Sequence, residues 1–251
     1  MKLIVNLSTI HSYSIEETVW AFVKLCNKHS QGCSQSMPLF FQNGINYAWV
    51  MGKYHLNYKS LIEPYKLGDV TTEQFLNNLA DIFDFMKGIK IEKRNELLIE
   101  AWNASIKIDE MTQGRLSQLV ERAKNDQIYL ISNTNELNVK AILDLFKQKY
   151  PDLPFNEDID INIENNREPI DILPAVSLYV SYRYKNFKTE NVTTASLLEE
   201  LVQTFEGENI AVVSQFPGDL TKAEQLGITD IQNAEDFYGS GKTVSLTKKT
   251  Q

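Results

Sequence analysis

Four apolar segments, each followed at once by polar residues, are the feature of this chain that most restricts its fold. They read LIVNLST from Leu3, YLISNTNE from Tyr129, SLYVSYRYKNFKTE from Ser177 and NIAVVSQFPGD from Asn209. Uninterrupted apolar runs are typical of strands that are buried on both faces, as in a parallel sheet. Segments with helical periodicity alternate with the later runs. The sequence therefore predicts an α/β fold, a Rossmann-like parallel sheet with helices on both faces.

The long stretch between the first and second apolar runs predicts a mainly helical insertion. Ser14 and Glu17 have the spacing of a capping box, which satisfies backbone N–H groups at a helix start. We therefore predict an α/β core of residues 1–12 and 106–240 and a helical cap of residues 13–105. The cap would lie over the carboxyl ends of the strands, where open α/β sheets place their sites.

Three segments are less regular. Residues 151–174 contain four prolines and seven acidic residues against a single Arg167. This acidic insertion within the core predicts a loop or small flap that would repel phosphate, and a solvated surface insertion is the preferred interpretation. The segment INYAWV from Ile45 fits strand and helix equally. The polar residues 241–251 are interpreted as a tail.

Composition excludes several classes of protein. A net charge of −8 without a basic block disfavours nucleic-acid binding, and no apolar run approaches the roughly 18 residues that a membrane span needs. The N-terminus lacks the apolar core of a signal peptide. Cys26 and Cys33 fit a reduced cytoplasmic protein and have no second close pair for a metal. His11 follows the first strand, where a pocket would open, and a solvated loop histidine is the alternative.

Polar residues follow the four strands where a catalytic site would be built. In chain order they are Asn6 and Ser8, Ser132, Lys188, and Ser214 with Gln215. Together with the segment YKLGDVTTEQF in the cap region and the helix ending Leu226-Gly227, their order and spacing resemble the haloacid dehalogenase-like (HAD) hydrolases of the helical-cap type.

The resemblance implies a role for each of these positions. In such hydrolases the first strand carries a nucleophilic aspartate, with a general acid two residues on, and Asn6 and Ser8 stand at these places. The fourth strand carries an acidic pair that binds magnesium, and Ser214 and Gln215 stand there. Ser132 and Lys188 match the serine and lysine that bind the phosphoryl group and would form a weak anion site.

The carboxylates that the implied chemistry needs are absent from the matching positions of this sequence. An amide is a poor nucleophile, a serine hydroxyl is an inefficient general acid, and Mg²⁺ is usually held through carboxylates. We therefore expect no cofactor, with magnesium binding lost. The expected function is that of a catalytically inactive HAD-like protein, a pseudo-hydrolase that binds an unidentified protein partner or a small anionic ligand.

Two alternatives remain open from the sequence. One is a HAD-like phosphatase with a relocated acid, either Asp219 or Glu190, although a helix-start charge and a solvated loop charge describe these two residues as well. The other is a bacterial effector that is secreted rather than cytoplasmic, built on a retired HAD fold and supported only by the polar tail. For a partner surface the candidates are Trp20, Trp49 and Tyr54, and packing in a helical core is the alternative for each.

Overall fold

The computed structural model describes residues 1–29, 39–108, 110–157, 159–161, 169–183 and 193–239. Cys33, Lys188, Glu190 and the tail at 241–251 lie outside these described residues, so the predictions made for them stay predictions. Among the helices of the described residues, none combines the length and the apolar character that a membrane span needs.

A six-stranded sheet forms the centre of the molecule. Its strands lie in the spatial order β5-β6-β4-β1-β7-β8, and every neighbouring pair is parallel except β5 with β6. The strands are β1 (Lys2–Asn6), β4 (Gln127–Ser132), β5 (Ile170–Leu173), β6 (Val176–Val180), β7 (Ile210–Ser214) and β8 (Asp230–Asn233), and a separate two-stranded ribbon pairs β2 (Ser12–Tyr13) with β3 (Ile106–Lys107). The predicted Rossmann-like α/β sheet is confirmed.

The helices follow the predicted alternation. In chain order they are α1 (Ile15–His29), α2 (Leu39–Leu56), α3 (Glu63–Lys66), α4 (Thr72–Ile82), α5 (Ile91–Asn103), α6 (Glu110–Arg122), α7 (Glu136–Lys149), α8 (Thr194–Thr204), α9 (Pro217–Gln225) and α10 (Ala234–Tyr238). The ambiguous segment INYAWV lies within α2. Gly227 follows α9 with a φ of +80°, a conformation that glycine adopts without the cost of a side chain.

The continuous apolar strands are explained by burial on both faces of the sheet. Along β1, Leu3 and Val5 pack on one face with residues of α6 and α7, whereas Ile4 packs on the other face with residues of α8 and α9. Successive side chains of a strand point to opposite faces. Both faces are therefore covered by helices, as the sequence predicts.

Helices α1 to α5 form the cap and have a hydrophobic core of their own. The chain enters the cap after β2 and leaves it before β3, and these two short strands pair antiparallel. Aromatic contacts fill the cap core: the rings of Tyr65 and Phe75 stack at 4.1 Å and those of Phe22 and Phe83 at 4.7 Å. A mainly helical cap inserted after the first strand is thus part of the fold, while the predicted boundaries at residues 12/13 and 105/106 stay predictions.

Direct contacts hold the cap against the carboxyl edge of the sheet. The buried hydroxyl of Tyr65 accepts a hydrogen bond from the backbone N–H of Leu137 (3.3 Å) and lies 2.8 Å from the hydroxyl of Thr72. Thr72 in turn donates to the carboxylate of Glu136 at 2.5 Å. The N-terminus of α7 is therefore joined to the cap by a chain of hydrogen bonds.

The acidic insertion is more ordered at its end than the sequence predicts. Residues 170–173 form β5, an antiparallel edge strand beside β6, so the expectation of a loop is wrong for these residues. The carbonyl of Ile161 accepts from the hydroxyl of Tyr182 at 2.7 Å, and that of Asp160 accepts from Arg183 at 3.2 Å. Backbone pairing and these two side chains tie the segment to the sheet.

Candidate functional site

The candidate site lies at the carboxyl edge of the sheet, where β1, β4 and β7 end side by side. Asn6 is the last residue of the central strand and is opposite Ile131 of β4, and Val5 is opposite Val213 of β7. This register places Asn6, Ser132 and Ser214 at neighbouring strand ends. Parallel strands bring such residues to one edge even though they are far apart in sequence.

Asn6 is the centre of the hydrogen bonds at this edge. Its side chain is almost fully buried, with 2% exposed. The amide oxygen Oδ1 accepts from the backbone N–H of Ser8 at 3.0 Å and from the Ser8 hydroxyl at 2.7 Å. Because a backbone N–H can only donate, the oxygen must face Ser8, and the amide nitrogen Nδ2 must face the other way.

On its other side, Asn6 contacts the carboxylate of Asp219. Nδ2 of Asn6 donates to Oδ2 of Asp219 at 2.8 Å, and the hydroxyl of Ser214 donates to the same oxygen at 2.7 Å. The hydroxyl of Thr194, at the start of α8, donates to Oδ1 at 2.6 Å. Three uncharged donors thus surround this carboxylate, whose side chain is 3% exposed. Such hydrogen bonds stabilise a buried carboxylate that would otherwise be costly.

The position of Asp219 confirms one interpretation and leaves another open. The carboxylate lies in the first turn of α9, as a helix-start charge does, but it is buried in the site and binds side chains of β1, α8 and the end of β7. This is the place that a relocated acid would occupy. Glu190, the other candidate acid, lies outside the described residues.

Gln215 and Ser132 lie at the rim of the site. Nε2 of Gln215 donates to the hydroxyl of Ser8 at 3.2 Å, and the Gln215 side chain is exposed. Ser132 ends β4 and is buried, one residue beyond the partner of Asn6. The structure therefore brings together Asn6, Ser8, Ser214 and Gln215, and it places Ser132 at the adjoining strand end. The weak anion site at Ser132 and Lys188 stays a prediction.

The oxygen atoms of the site do not match the ligand set that Mg²⁺ prefers. Mg²⁺ requires near-octahedral oxygen ligands and is usually held through carboxylates. Asp219 supplies the one carboxylate of this network, both of its oxygens accept hydrogen bonds from protein donors, and the Asn6 oxygen already accepts two. No three His, Cys, Asp or Glu side chains of the described ranges form a group that could hold a metal ion.

The other candidate residues lie outside this network. His11 packs against the turn after β1, and its Nδ1 lies 3.0 Å from the carbonyl oxygen of Leu7. Burial lowers the pKa of this imidazole, and the backbone hydrogen bond only partly opposes that effect. Cys26 is buried in α1. The loop histidine is therefore half-buried and held against the backbone.

The aromatic candidates divide between packing and exposure. Tyr54 is half-buried, and burial of its hydroxyl raises its pKa. Trp20 and Trp49 each pack on one side, against Tyr47 and Phe83 respectively, and are partly exposed on the other. Each of these two tryptophans therefore packs in the cap and is also partly accessible at its surface.

Thr194 is the site residue that sequence reasoning missed. The run Thr193-Thr194 is recognisable only as a helix start, and Thr193 does form the capping box of α8. Nothing in that pattern indicates that the next hydroxyl turns toward Asp219, because the contact joins two helices that are separate in sequence.

Known structures support the fold that these observations describe. A HAD family enzyme from Bacteroides thetaiotaomicron, BT-2542, in complex with magnesium and inorganic phosphate, superposes with a TM-score of 0.58 over 92% of each chain at 18% identity. A predicted HAD-like family hydrolase from Porphyromonas gingivalis gives a TM-score of 0.54 at 14% identity, over 92% of this chain and 89% of the other. No family model and no curated protein matches the sequence. The chain has the fold of the haloacid dehalogenase-like hydrolases.

Proposed function

We propose that this protein is a HAD-fold binding protein that does not use an aspartyl-phosphate intermediate. The observation that carries the proposal is the contact of 2.8 Å between Nδ2 of Asn6 and Oδ2 of Asp219. This contact holds the amide of Asn6 at the position where the resemblance implies a nucleophilic carboxylate. The lone pair of an amide nitrogen is delocalised, and here that nitrogen is a hydrogen-bond donor.

The remaining site residues support the same proposal. The general acid expected two residues after the nucleophile is Ser8, whose hydroxyl donates to Asn6. Ser8 has no readily lost proton for a leaving group at neutral pH. The magnesium and phosphate of the Bacteroides complex would meet here a network of neutral donors around one carboxylate. The hydroxyl of Ser132 at the adjoining strand end could still hold an anionic group, so a small anionic ligand or a protein partner is the proposed occupant.

A second candidate function is favoured by the burial of Asp219. If this carboxylate acted as a general base, the protein would be a hydrolase with altered chemistry. Both of its oxygens accept hydrogen bonds from protein donors, so it would have to exchange one of them for substrate or water. We rank this function second, because the hydrogen bonds of Asp219 serve the protein's own side chains.

Isothermal titration with Mg²⁺, together with hydrolysis assays on an aryl phosphate and a panel of small phosphate esters, tests the proposal. We expect a folded protein with neither a Mg²⁺-binding signal nor turnover. The second candidate function requires turnover that is lost in Asp219→Ala.

The matched control is Asp230→Ala, which removes a carboxylate at the start of β8 without touching the site network. Turnover lost in Asp219→Ala and kept in this control would overturn the binding proposal. Turnover present in both variants but lost in Glu190→Ala would also overturn the binding proposal. Turnover equally present in all three variants would point to a contaminating phosphatase.

A further inference from the structure

The outer face of α2 carries large apolar side chains that the rest of the described chain does not cover. Ile45, Trp49 and Leu56 are 53%, 37% and 81% exposed. Their spacing of four and seven residues places them on one side of the helix. We define the α2 outer face as these three residues together with Gly44, Ala48 and Gly52, which form a row beside them.

The row of Gly44, Ala48 and Gly52 has almost no side-chain bulk, unlike the three large side chains beside it. A Cβ atom built on Gly44 or Gly52 would meet nothing within 4 Å, and Ala48 between them is exposed. Glycine inside a helix costs about 0.5–1 kcal/mol relative to alanine. No contact within the described chain requires the absence of a side chain at either position. The apolar ridge of Ile45, Trp49 and Leu56 therefore runs beside a row of hollows.

Charge distinguishes this face from the other helices. The helix α2 contains no Asp or Glu, and it is the only α-helix of the described residues of which this is true. The chain as a whole has a net charge of −8. Two copies would repel one another through most orientations, because like charges oppose close approach. The helix α2 itself would therefore bring no carboxylate to a contact between two copies.

We propose that the α2 outer face binds the same face of a second copy of this chain, with the two helices antiparallel about a two-fold axis. A two-fold contact requires a surface that is complementary to itself. A ridge beside a row of hollows meets this requirement, because the ridge of each helix fits over the hollows of the other. The antiparallel arrangement also sets opposite ends of the two helix dipoles side by side.

The neighbouring helix extends this surface. Trp20 of α1 is 40% exposed, and its ring lies 4.9 Å from that of Tyr47 on α2. Aromatic side chains of this kind are enriched where protein interfaces are buried. A contact built mainly on one helix pair is at the small end of stable interfaces, so we expect a dissociation constant on the order of micromolar.

Sedimentation velocity over a series of protein concentrations tests the dimer. We expect wild type to shift from monomer to dimer as the concentration rises, and Ala48→Glu to weaken dimerisation at least about tenfold. Ala48 is exposed in the single chain, so the variant should fold, which circular dichroism and the melting temperature will confirm. The matched control is Asn78→Glu, the same added charge at an exposed position of α4 in the cap.

Other outcomes contradict the proposal. A wild type that stays monomeric at every concentration overturns it, and so does a dimer that Ala48→Glu and Asn78→Glu leave equally intact. Co-sedimentation with uncharged phosphatidylcholine vesicles, reduced by Ala48→Glu, would assign the same face to a lipid surface and would also overturn the dimer.

Discussion

Asn6 determines the chemistry of the site because its amide has a donor and an acceptor on opposite sides. The acceptor binds Ser8 and the donor binds Asp219. An aspartate in its place would have acceptors on both sides and would face Asp219 with like charge. The amide of Asn6 therefore binds both neighbours through its own donor and acceptor, which an aspartate could not do.

His11 gives the folded protein a pH dependence that can be predicted in sign. Burial lowers the pKa of its imidazole below the usual value, which is about 6.5 in the unfolded chain. Below that pH, His11 of the unfolded chain binds a proton more readily than His11 of the folded protein does. The stability that His11 contributes is therefore present above about pH 6.5 and is lost as the pH falls toward the lower folded-state pKa.

Urea denaturation at several pH values between about 5 and 7.5 measures this effect. In His11→Gln the acid-side loss of stability should be shallower than in wild type. The control is His55→Gln, since His55 is exposed at the end of α2. If both variants lose stability in acid as steeply as wild type, the imidazole of His11 is not the group responsible.

Site residues could be predicted where their position in the chain was sufficient, and could not be predicted where the direction of the side chain brings them into the site. The end of the first strand could be located from LIVNLST, and with it Asn6 and Ser8. Asp219 could be located only as a residue near a helix start. Its direction toward β1 depends on how α9 packs, and no local pattern in the sequence carries that information.

Among the elements, the segment between α3 and α4 fixes the cap on the sheet. The carbonyl oxygen of Lys66 accepts a hydrogen bond from the hydroxyl of Ser181 at 2.9 Å. Two residues later, Gly68 has a φ of +74° and lies so close to the loop after β6 that a Cβ would overlap the carbonyl oxygen of Tyr182. Backbone conformation and close approach both require glycine there.

Gly68→Ala should therefore destabilise the protein by about 3 kcal/mol or more, from the left-handed conformation and the displaced loop together. Gly88→Ala is the matched control, because Gly88 also has a positive φ, +87°, but a Cβ there meets nothing within 4 Å. This variant should lose only about 1 kcal/mol. Urea denaturation gives both values, and hydrogen exchange should show faster exchange at the α7 N-terminus in Gly68→Ala alone. Equal losses in the two variants would mean that the close approach to Tyr182 has no energetic effect.

Elements were predictable where burial leaves a periodic pattern. The strands β1, β4, β6 and β7 are recognisable because both of their faces are covered. The edge strand β5 was missed, since an edge is specified by pairing with β6 rather than by a long apolar run. The proline-rich surroundings of this strand favour a loop when they are considered alone.

For the whole molecule, the fold and the chemistry of its site are specified by different residues. The sheet packs through apolar side chains on both faces, and the cap has its own aromatic core. Neither core includes a residue of the site network. An architecture that is shared with enzymes therefore does not by itself establish catalysis.

The same separation predicts that metal binding can be introduced without rebuilding the fold. In the double variant Asn6→Asp with Gln215→Asp, two new carboxylates would join Asp219 around Ser8, within reach of one cation. Without metal their repulsion should lower the melting temperature, because like charges at this distance are unfavourable. Mg²⁺ should raise the melting temperature again, because at a concentration a hundredfold above its dissociation constant it adds about 2.7 kcal/mol to the free energy of unfolding.

Thermal unfolding and isothermal titration of the double variant, with and without Mg²⁺, check this expectation against wild type. The matched control is Asn78→Asp with Gln113→Asp, which adds the same two charges at exposed positions of α4 and α6. Mg²⁺ should stabilise the double variant and leave wild type and the control unchanged. If it stabilises all three equally, the ion acts by general screening. If it stabilises none, the strand ends have moved apart from the arrangement that the resemblance implies.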